Sequence, residues 1–390
     1  MKGFIFFVFI TMCVCVEALP PNQAKKTICL NMIVKNESNV IEKCLASVKP
    51  LIDYWVIVDT GSDDGTPEII KKFMKDIPGE VHERSWVNFA HNRNEALALA
   101  KKKGDYLLLI DADEVLQLTE NFVLPSLEKD LYFIRLRQTG TADTKRNGLI
   151  KNSLDWKWEG VIHEFVVAPH SHSSELLQGI VNLCNTHPEG ASGRSKGSVT
   201  AKYLGDAEVL EKALKENPKN SRYAYYLGVS YAAAQQYELA KASFEKRISL
   251  PSADFQETFM AIYSLGMMYE KLKDFDGALK VFSKAYTMYP TRAEPIFRSA
   301  VLYRKKGDLL LGYLLAQHAL TLPYPEEDNC VEYIIYDHAA LIEFANCALL
   351  LKKYQEGYDA CSKLLADPNL PAEYRPQTLA NLELARKNLL

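Results

Sequence analysis

Residues 107–114 read Leu-Leu-Leu-Ile-Asp-Ala-Asp-Glu, an apolar run that closes on carboxylates at Asp111 and Asp113. In an extended chain, side chains two residues apart point the same way. Two hard oxygen donors on one side of a strand end suit a divalent metal that also holds phosphate oxygens. Such a metal, Mn or Mg, can neutralise a departing diphosphate. A second apolar run ends at Val58-Asp59 and passes into Thr60-Gly61-Ser62-Asp63-Asp64-Gly65-Thr66. An acid at a strand terminus, followed by a Gly-rich turn and a capped helix, can hydrogen-bond a base or a ribose. Asp64 and Thr66 read equally as capping residues. A third run ends Lys35-Asn36-Glu37, and residues 156–164 gather Trp156, Trp158, Glu159, His163 and Glu164 within nine positions.

These motifs stand where strands must end. Residues 27–34, 54–59 and 106–110 are near-continuous apolar runs, the pattern of buried parallel strands, with a shorter one at 81–83. Helices are predicted over 39–49, with Val40, Ile41, Cys44, Leu45 and Val48 on one stripe, and over 89–103. Another begins with Thr66 as N-cap and Pro67 at the first helical position. This alternation predicts an α/β domain on a mainly parallel sheet with right-handed crossovers. Its ligands should sit at the carboxyl ends of the strands, where Asn36, Glu37, Asp59, Asp111 and Asp113 meet. Residues 131–137, 149–151 and 161–167 read as shorter strands, and 170–197, rich in Ser, His and Gly, as a mobile connection.

Beyond residue 203 the strands stop and a repeat begins. Leu227-Gly228, Tyr231, Ala240 and Phe244 return as Leu265-Gly266, Tyr269, Ala278 and Phe282, a shift of 38 residues. Weaker copies run through Ala300, Tyr303, Gly312, Ala316 and Ala319, and through Ala345, Tyr354, Gly357 and Cys361. The pattern resembles the tetratricopeptide repeat, in which small and large residues interlock paired helices. Residues 371–390 would be its capping helix.

The strand-end motifs together resemble the family 2 glycosyltransferases of the nucleotide-sugar-binding GT-A fold. The carriers are residues 32–37, 58–66, Ala90-His91-Asn92-Arg93-Asn94 and 111–114. The resemblance implies a sugar transferase using a nucleotide-sugar donor. Asp59 would bind nucleobase or ribose, and Arg93 would lie near base and phosphates. Asp111 and Asp113 would hold sugar, diphosphate and metal, with Asn36 and Glu37 on the donor side. Thr60 stands where many members carry a second acid, which loosens the donor assignment. The segment 156–164 looks like the W-x-G-x-x-H-E stretch of a subgroup with C-terminal helical repeats. By that likeness Glu164 is the base that takes the acceptor proton in an inverting transfer, Glu159 its substitute, and His163 a third metal ligand. Trp156 and Trp158 suit either a sugar platform or the core. The Gly-rich stretch 190–195 resembles the subgroup's loop before the repeats, with Arg194 in a lid over the diphosphate and His187 a weaker candidate.

Composition bounds the rest. The chain has 390 residues, 48% hydrophobic and 24% charged, with a formal net charge of -3. It is long enough for two cored domains and too apolar for general disorder. Its charge balance excludes a protein built mainly for nucleic acid. All four Trp precede residue 160, and only Tyr54, Tyr106 and Tyr132 of the 21 Tyr precede residue 200, so two architectures share the chain. Beyond Cys13 and Cys15 six cysteines remain, five of which fall in apolar runs or helical patterns and read as buried small hydrophobes, with few or no disulfides expected. Residues 1–18 resemble a secretory leader, which favours an endomembrane lumen or export. The alternative is a cytoplasmic protein held to a membrane by that segment. The organisation expected is leader 1–18, sheet domain 26–187, connection 188–202 and helical repeats 203–390. The repeats would hold a glycan, peptide or protein acceptor, or, if the transferase domain is degenerate, serve as a non-enzymatic scaffold. A nucleotidyltransferase lacks support, because no Gly-rich basic loop follows the first strand.

Overall fold

The computed structural model describes residues 25–138, 142–168, 170–184, 198–252, 254–326 and 328–390. The leader, Cys13, Cys15, His187 and Arg194 lie outside the described residues. Strands β1 (Ile28–Val34), β2 (Tyr54–Asp59), β3 (Gly79–Glu83) and β4 (Tyr106–Leu109) alternate with helices α1 (Ile41–Val48), α2 (Thr66–Phe73) and α3 (Phe89–Ala100). They pair in parallel in the order β3-β2-β1-β4. The period-2 reading of β1 explains the layers. Ile28, Leu30, Met32 and Val34 pack with Ile41, Cys44 and Leu45 of α1 and Ile70 of α2. Cys29 faces the other way, onto Leu97 and Ala100 of α3. Burial pushes the Cys29 thiol up to about 12 and the Cys44 thiol well above its usual value, as befits core residues. The six cysteines of the described residues are free thiols.

The sheet then becomes mixed. β5 (Val115–Leu118), β6 (Leu131–Gln138), β7 (Asp143–Lys151) and β10 (Ser174–Cys184) extend it to eight strands, ordered β3-β2-β1-β4-β7-β6-β10-β5. β8 (Lys157–Glu159) and β9 (Phe165–Val167) form a separate antiparallel pair. Three local expectations are corrected. Much of the supposed mobile connection is β10, an interior strand between β6 and β5, with Leu176, Leu177 and Ile180 buried. Its pattern is broken by an irregularity at Gly179, whose φ is +77°, so alternation fails to carry across. Residues 161–164 are not strand but a turn with positive φ at Gly160 and His163. Finally, Gly65, not Thr66, occupies the cap of α2, because the Thr66 hydroxyl is spent on Asp64 and on the Glu37 amide.

The C-terminal half is helical: α4 (Val199–Glu216), α5 (Ser221–Ala233), α6 (Tyr237–Ser249), α7 (Phe255–Lys271), α8 (Phe275–Met288), α9 (Glu294–Lys305) and α10 (Leu309–Ala319). A π-helical turn, Ile335–Ala339, runs into α11 (Ala340–Leu350), followed by α12 (Tyr354–Ala366) and α13 (Arg375–Leu389). Asn220, Asp254, Asp274 and Asp308 each accept an amide proton at a helix start. The repeat spacing has a steric cause: a Cβ on Gly228 would meet the Phe244 ring at 2.7 Å, and one on Gly266 the Phe282 ring at 2.4 Å. The architecture is therefore the one expected, a mainly parallel α/β sheet domain followed by helical repeats. Among the described residues no helix is long and apolar enough to cross a membrane.

The halves are joined by polar pairing. The segment after α10 forms a bridge from Val331 to Asp143 of β7. Asp143, fully buried, binds Arg137 through both oxygens at 2.9 and 2.7 Å and accepts from the Tyr324 hydroxyl at 3.1 Å. Arg135 reaches Tyr324 at 2.9 Å and the Glu326 carboxylate at 2.9 Å.

Gly266→Ala should lower stability by about 1–3 kcal/mol through overpacking against Phe282. Gly205→Ala, with nothing within 4 Å of its Cβ, should instead stabilise by about 0.5–1 kcal/mol. Urea unfolding of the two variants checks the pair.

Candidate functional site

A cavity of about 1010 Å³ lies between the carboxyl ends of β1, β2 and β4 and the first repeat helices. Its sheet side carries Lys35, Asn36, Glu37, Thr60, Asp111 and Asp113. Trp158, His163 and Glu164 line a second wall, and Lys202, Asp206 and Arg222 of the helical half a third.

The loops at one end are held rigid by their own acids. Asp59 is 3% exposed and does not line the cavity. Its carboxylate accepts from the amides of Gly61 and Ser62 at 3.1 and 3.0 Å and from the Ser62 hydroxyl at 2.5 Å. Asn36, with φ of +57°, ties the neighbouring strand end to this turn: its amide donates to Ser62 and its side chain accepts from Asp63. Asp64 completes the lock, accepting from Thr66 and from the Ser38 amide. Burial works to raise the Asp64 pKa, but these hydrogen bonds outweigh it and hold it at about 2.

Arg93 organises the centre. Its Nε donates to Glu164 Oε1 at 2.8 Å and its Nη2 to Asp111 Oδ1 at 2.6 Å. Its guanidinium lies 4.8 Å from the Trp158 ring centroid. Asn94, one residue on, holds Trp158 by both backbone groups, at 2.9 and 2.8 Å. Arg146 of β7 grips Asp111 Oδ2 at 2.6 Å and also pairs with Glu114. Asp111 is thus clamped between two guanidinium groups. Burial opposes its ionised form, but Arg146 and Arg93 hold it well below the usual carboxylate range. Asp113 is raised instead, by burial and by the Asp111 charge. Glu114, 2% exposed, is pushed up by burial, against the pull of Arg146.

The structure therefore gathers Asn36, Glu37, Arg93, Asp111, Asp113, His163 and Glu164 on one cavity. It leaves two expected residues off it. Asp59 faces its own turn, and Glu159 lies on β8, ion-paired with Lys157 at 3.2 Å and with about half of its side chain exposed. Trp156 packs in the core beside Leu97 and Leu109. Among the described residues no group of three His, Cys, Asp or Glu is placed to hold a metal, so Asp111, Asp113 and His163 do not form a ready-made triad. Sequence reasoning missed Arg146, Lys202, Arg222 and Trp86. Trp86 is 42% exposed on the cavity, edge-on to Phe89 at 4.8 Å. An indole four residues before the Ala90–Asn94 motif was the available signal. Arg146 had none, since its role depends on β7 pairing antiparallel to β4.

The family model for Glycosyl transferase family 2 matches residues 29–121, and a Tetratricopeptide repeat model matches 207–249. A TPR repeat-containing protein of Synechococcus elongatus is 25% identical over 314 residues, 76% of each chain. The SPbeta prophage-derived glycosyltransferase SunS of Bacillus subtilis is 27% identical over 215 residues, 52% of this chain. That match spans 48% of SunS, about half its length. The crystal structure of MamA aligns with 51% of this chain and 95% of its own at 16% identity and a TM-score of 0.32.

The lowered Asp64 pKa has a sign. A carboxyl depressed from 3.8 to about 2 adds stability above pH 3.8, and that stability is lost as pH falls toward 2. Asp64→Asn should therefore flatten the fall of stability across this acid window, measured by urea unfolding at stepped pH.

Proposed function

We propose that this chain, which carries a family 2 glycosyltransferase domain at residues 29–121 followed by tetratricopeptide repeats, transfers a sugar from a nucleotide-sugar donor to an acceptor in the cavity between the two halves. The observation that carries this reading is the charge cluster at the end of β4. There Asp111, Glu114 and Glu164 pair with Arg93 and Arg146, and Asp113 lines the same open cavity. The nucleoside would lie toward Asn36, Glu37 and Thr60, with Trp86 offering an aromatic face. Asp59 would act there by fixing the shape of its turn. The diphosphate would lie against Arg93 and Arg146, which can exchange a carboxylate partner for phosphate oxygens. Arg194 would be a further donor contact.

A divalent cation at the β4 end would rest on few protein ligands, since no group of three His, Cys, Asp or Glu among the described residues is placed to hold one. Three carboxylates, Asp111, Glu114 and Glu164, pair with the two guanidinium groups, and Mg or Mn commonly takes one or two carboxylates with the rest of its shell from substrate phosphate and water. Asp113, on the cavity and not clamped like Asp111, would be the principal ligand, with Asp111 and His163 nearby. When bound, the cation supplies charge neutralisation for the leaving diphosphate. Glu164 would do the proton chemistry. Arg93 holds Oε1 and sets the carboxylate plane, so the other oxygen would take the acceptor proton as the nucleophile attacks C1. The new bond forms on the face opposite the departing diphosphate, so the transfer inverts. The acceptor, a glycan, peptide or protein, would approach past Lys202, Tyr203 and Arg222. The leader read in residues 1–18 favours an endomembrane lumen or export, with membrane-attached cytoplasmic residence as the alternative.

The test is a nucleotide-sugar hydrolysis and thermal-shift screen with and without Mn. Donor-specific hydrolysis supports the reading. No hydrolysis and no shift with any donor sinks it in favour of a repeat scaffold, the kind of protein the Synechococcus relative's name describes. Glu164→Gln should lower turnover by about 100-fold or more while donor affinity stays nearly constant. Glu159→Gln should keep near wild-type turnover; the reverse pair of results would transfer the base role to Glu159.

A further inference from the structure

The turn that carries Glu164 is short of sheet support. It lies between β8 and β9, outside their ladder, and His163 is held at a φ of +51°, a region unfavourable for a residue with a Cβ. The contacts that hold the turn in that conformation come from the helical half. Arg222 Nη2 donates to the His163 carbonyl at 3.0 Å. The His163 imidazole stacks on Tyr226 with centroids 4.1 Å apart and planes 12° apart. The Arg222 guanidinium lies 4.4 Å from the Phe165 ring centroid and 4.7 Å from that of Tyr226. Ile162, on the same turn, is buried among residues of α4 to α7.

Arg222 is itself anchored. Its Nη1 is 3.7 Å from Glu257 Oε2, on α7. The other Glu257 oxygen accepts from Arg247 at 2.8 Å, and Arg247 is fully buried and also donates to Thr258 at 3.0 Å. Breaking such a buried pair leaves an unpaired charge, so the chain from α7 to Arg222 resists displacement.

We propose that Arg222 and Tyr226 are positioning residues for the His163–Glu164 turn, so that the first tetratricopeptide-type repeat is a working part of the transferase site. The inference rests on the reading of Glu164 as the base. Glu164 is then held at two points: its carboxylate by Arg93 of the sheet domain, and its adjoining backbone by Arg222 of α5. A shift of about 1 Å in such a group can cost 100-fold in rate. Loss of the repeat contact would therefore reach the chemistry although neither side chain touches the reacting atoms.

The experiment uses the full chain with Arg222→Met, Tyr226→Leu and Tyr226→Phe. Hydrogen exchange is followed in peptides covering 158–166, with peptides from β1, β2 and α4 to α7 as controls. Arg222→Met and Tyr226→Leu should speed exchange at 161–165 by about tenfold, the equivalent of one charge-assisted hydrogen bond. The β1, β2, α4 and α6 peptides should be unchanged, with any change in α5 and α7 confined to the peptides that carry Arg222, Tyr226 and Glu257, and Tyr226→Phe, which keeps the stacking ring, should behave as wild type. With UDP-glucose, UDP-N-acetylglucosamine or GDP-mannose, whichever the screen turns over, kcat should fall by about 100-fold at constant donor KM. Unchanged exchange at 161–165 overturns the proposal. So does exchange raised evenly through α4–α7 in both disruptive variants, which would make the pair general packing. So does a rise in acceptor KM alone, which would make Arg222 an acceptor contact. If wild type turns over none of the donors, the transferase reading falls while the exchange result still decides whether the repeat holds this turn.

Discussion

A guanidinium group with two carboxylates and an indole around it, almost shut off from water, sets the terms for the rest of this protein. Arg93 is 8% exposed. A charge so placed is tolerable only if its partners are present and well aimed, because removing one leaves several kcal/mol of desolvation uncompensated. Those partners come from three places: Asp111 from the end of β4, Glu164 from the turn before β9, and Trp158 from β8. Each must be brought to α3 by packing elsewhere. Leu97 and Ala100 seat the helix on the sheet, and the Asn31 side chain donates to the Ala96 carbonyl at 2.8 Å inside that interface. Asn94 then fastens β8. The hydrophobic layers make the charge cluster possible, and the cluster in turn specifies how the small β8–β9 sheet lies on the large one.

The same logic extends outward. Arg146 brings β7 into the cluster, and β7 is also the strand to which the helical half is fastened, through Asp143 and Val331. One strand thus carries a cavity residue and the junction with the repeats. On the opposite wall the turn bearing Glu164 leans on α5. The cavity is enclosed from both sides of the chain, and the repeats serve as packing against the sheet domain before they serve as a surface for anything else. The fully buried Arg247 and Arg292, each paired with a glutamate, belong to packing within the helical half rather than to a binding face.

Much of this could be read in advance. The runs 27–34, 54–59 and 106–110 became β1, β2 and β4 because continuous apolar stretches of that length have few other uses. The 38-residue repeat was legible because a Gly faces a Phe in each of its first two units, and the Gly228–Phe244 and Gly266–Phe282 contacts supply the reason. β10 was not legible: Gly179 breaks its alternation, and its buried Asn182 is polar because it donates to Glu114 at 2.7 Å, a contact with no local trace.

Residue type and spacing by themselves determined the strand ends, the side of the sheet on which acids collect and the change from sheet to repeat, since these follow from local periodicity and steric fit. Which acids face a ligand and which are consumed internally was decided only in three dimensions. Asp59 and Asp111 each end an apolar run. Asp59 turns back onto its own loop while Asp111 meets two arginines from α3 and β7. Glu159 and Glu164 are five residues apart in the same motif, yet one lies on the outer face of β8 and the other on the cavity. Local sequence sets what a side chain can do. Long-range pairing sets what it is left to do, because only the tertiary fold decides whether a carboxylate is turned into its own loop, as Asp59 is, or reaches the cavity, as Asp111 and Glu164 do.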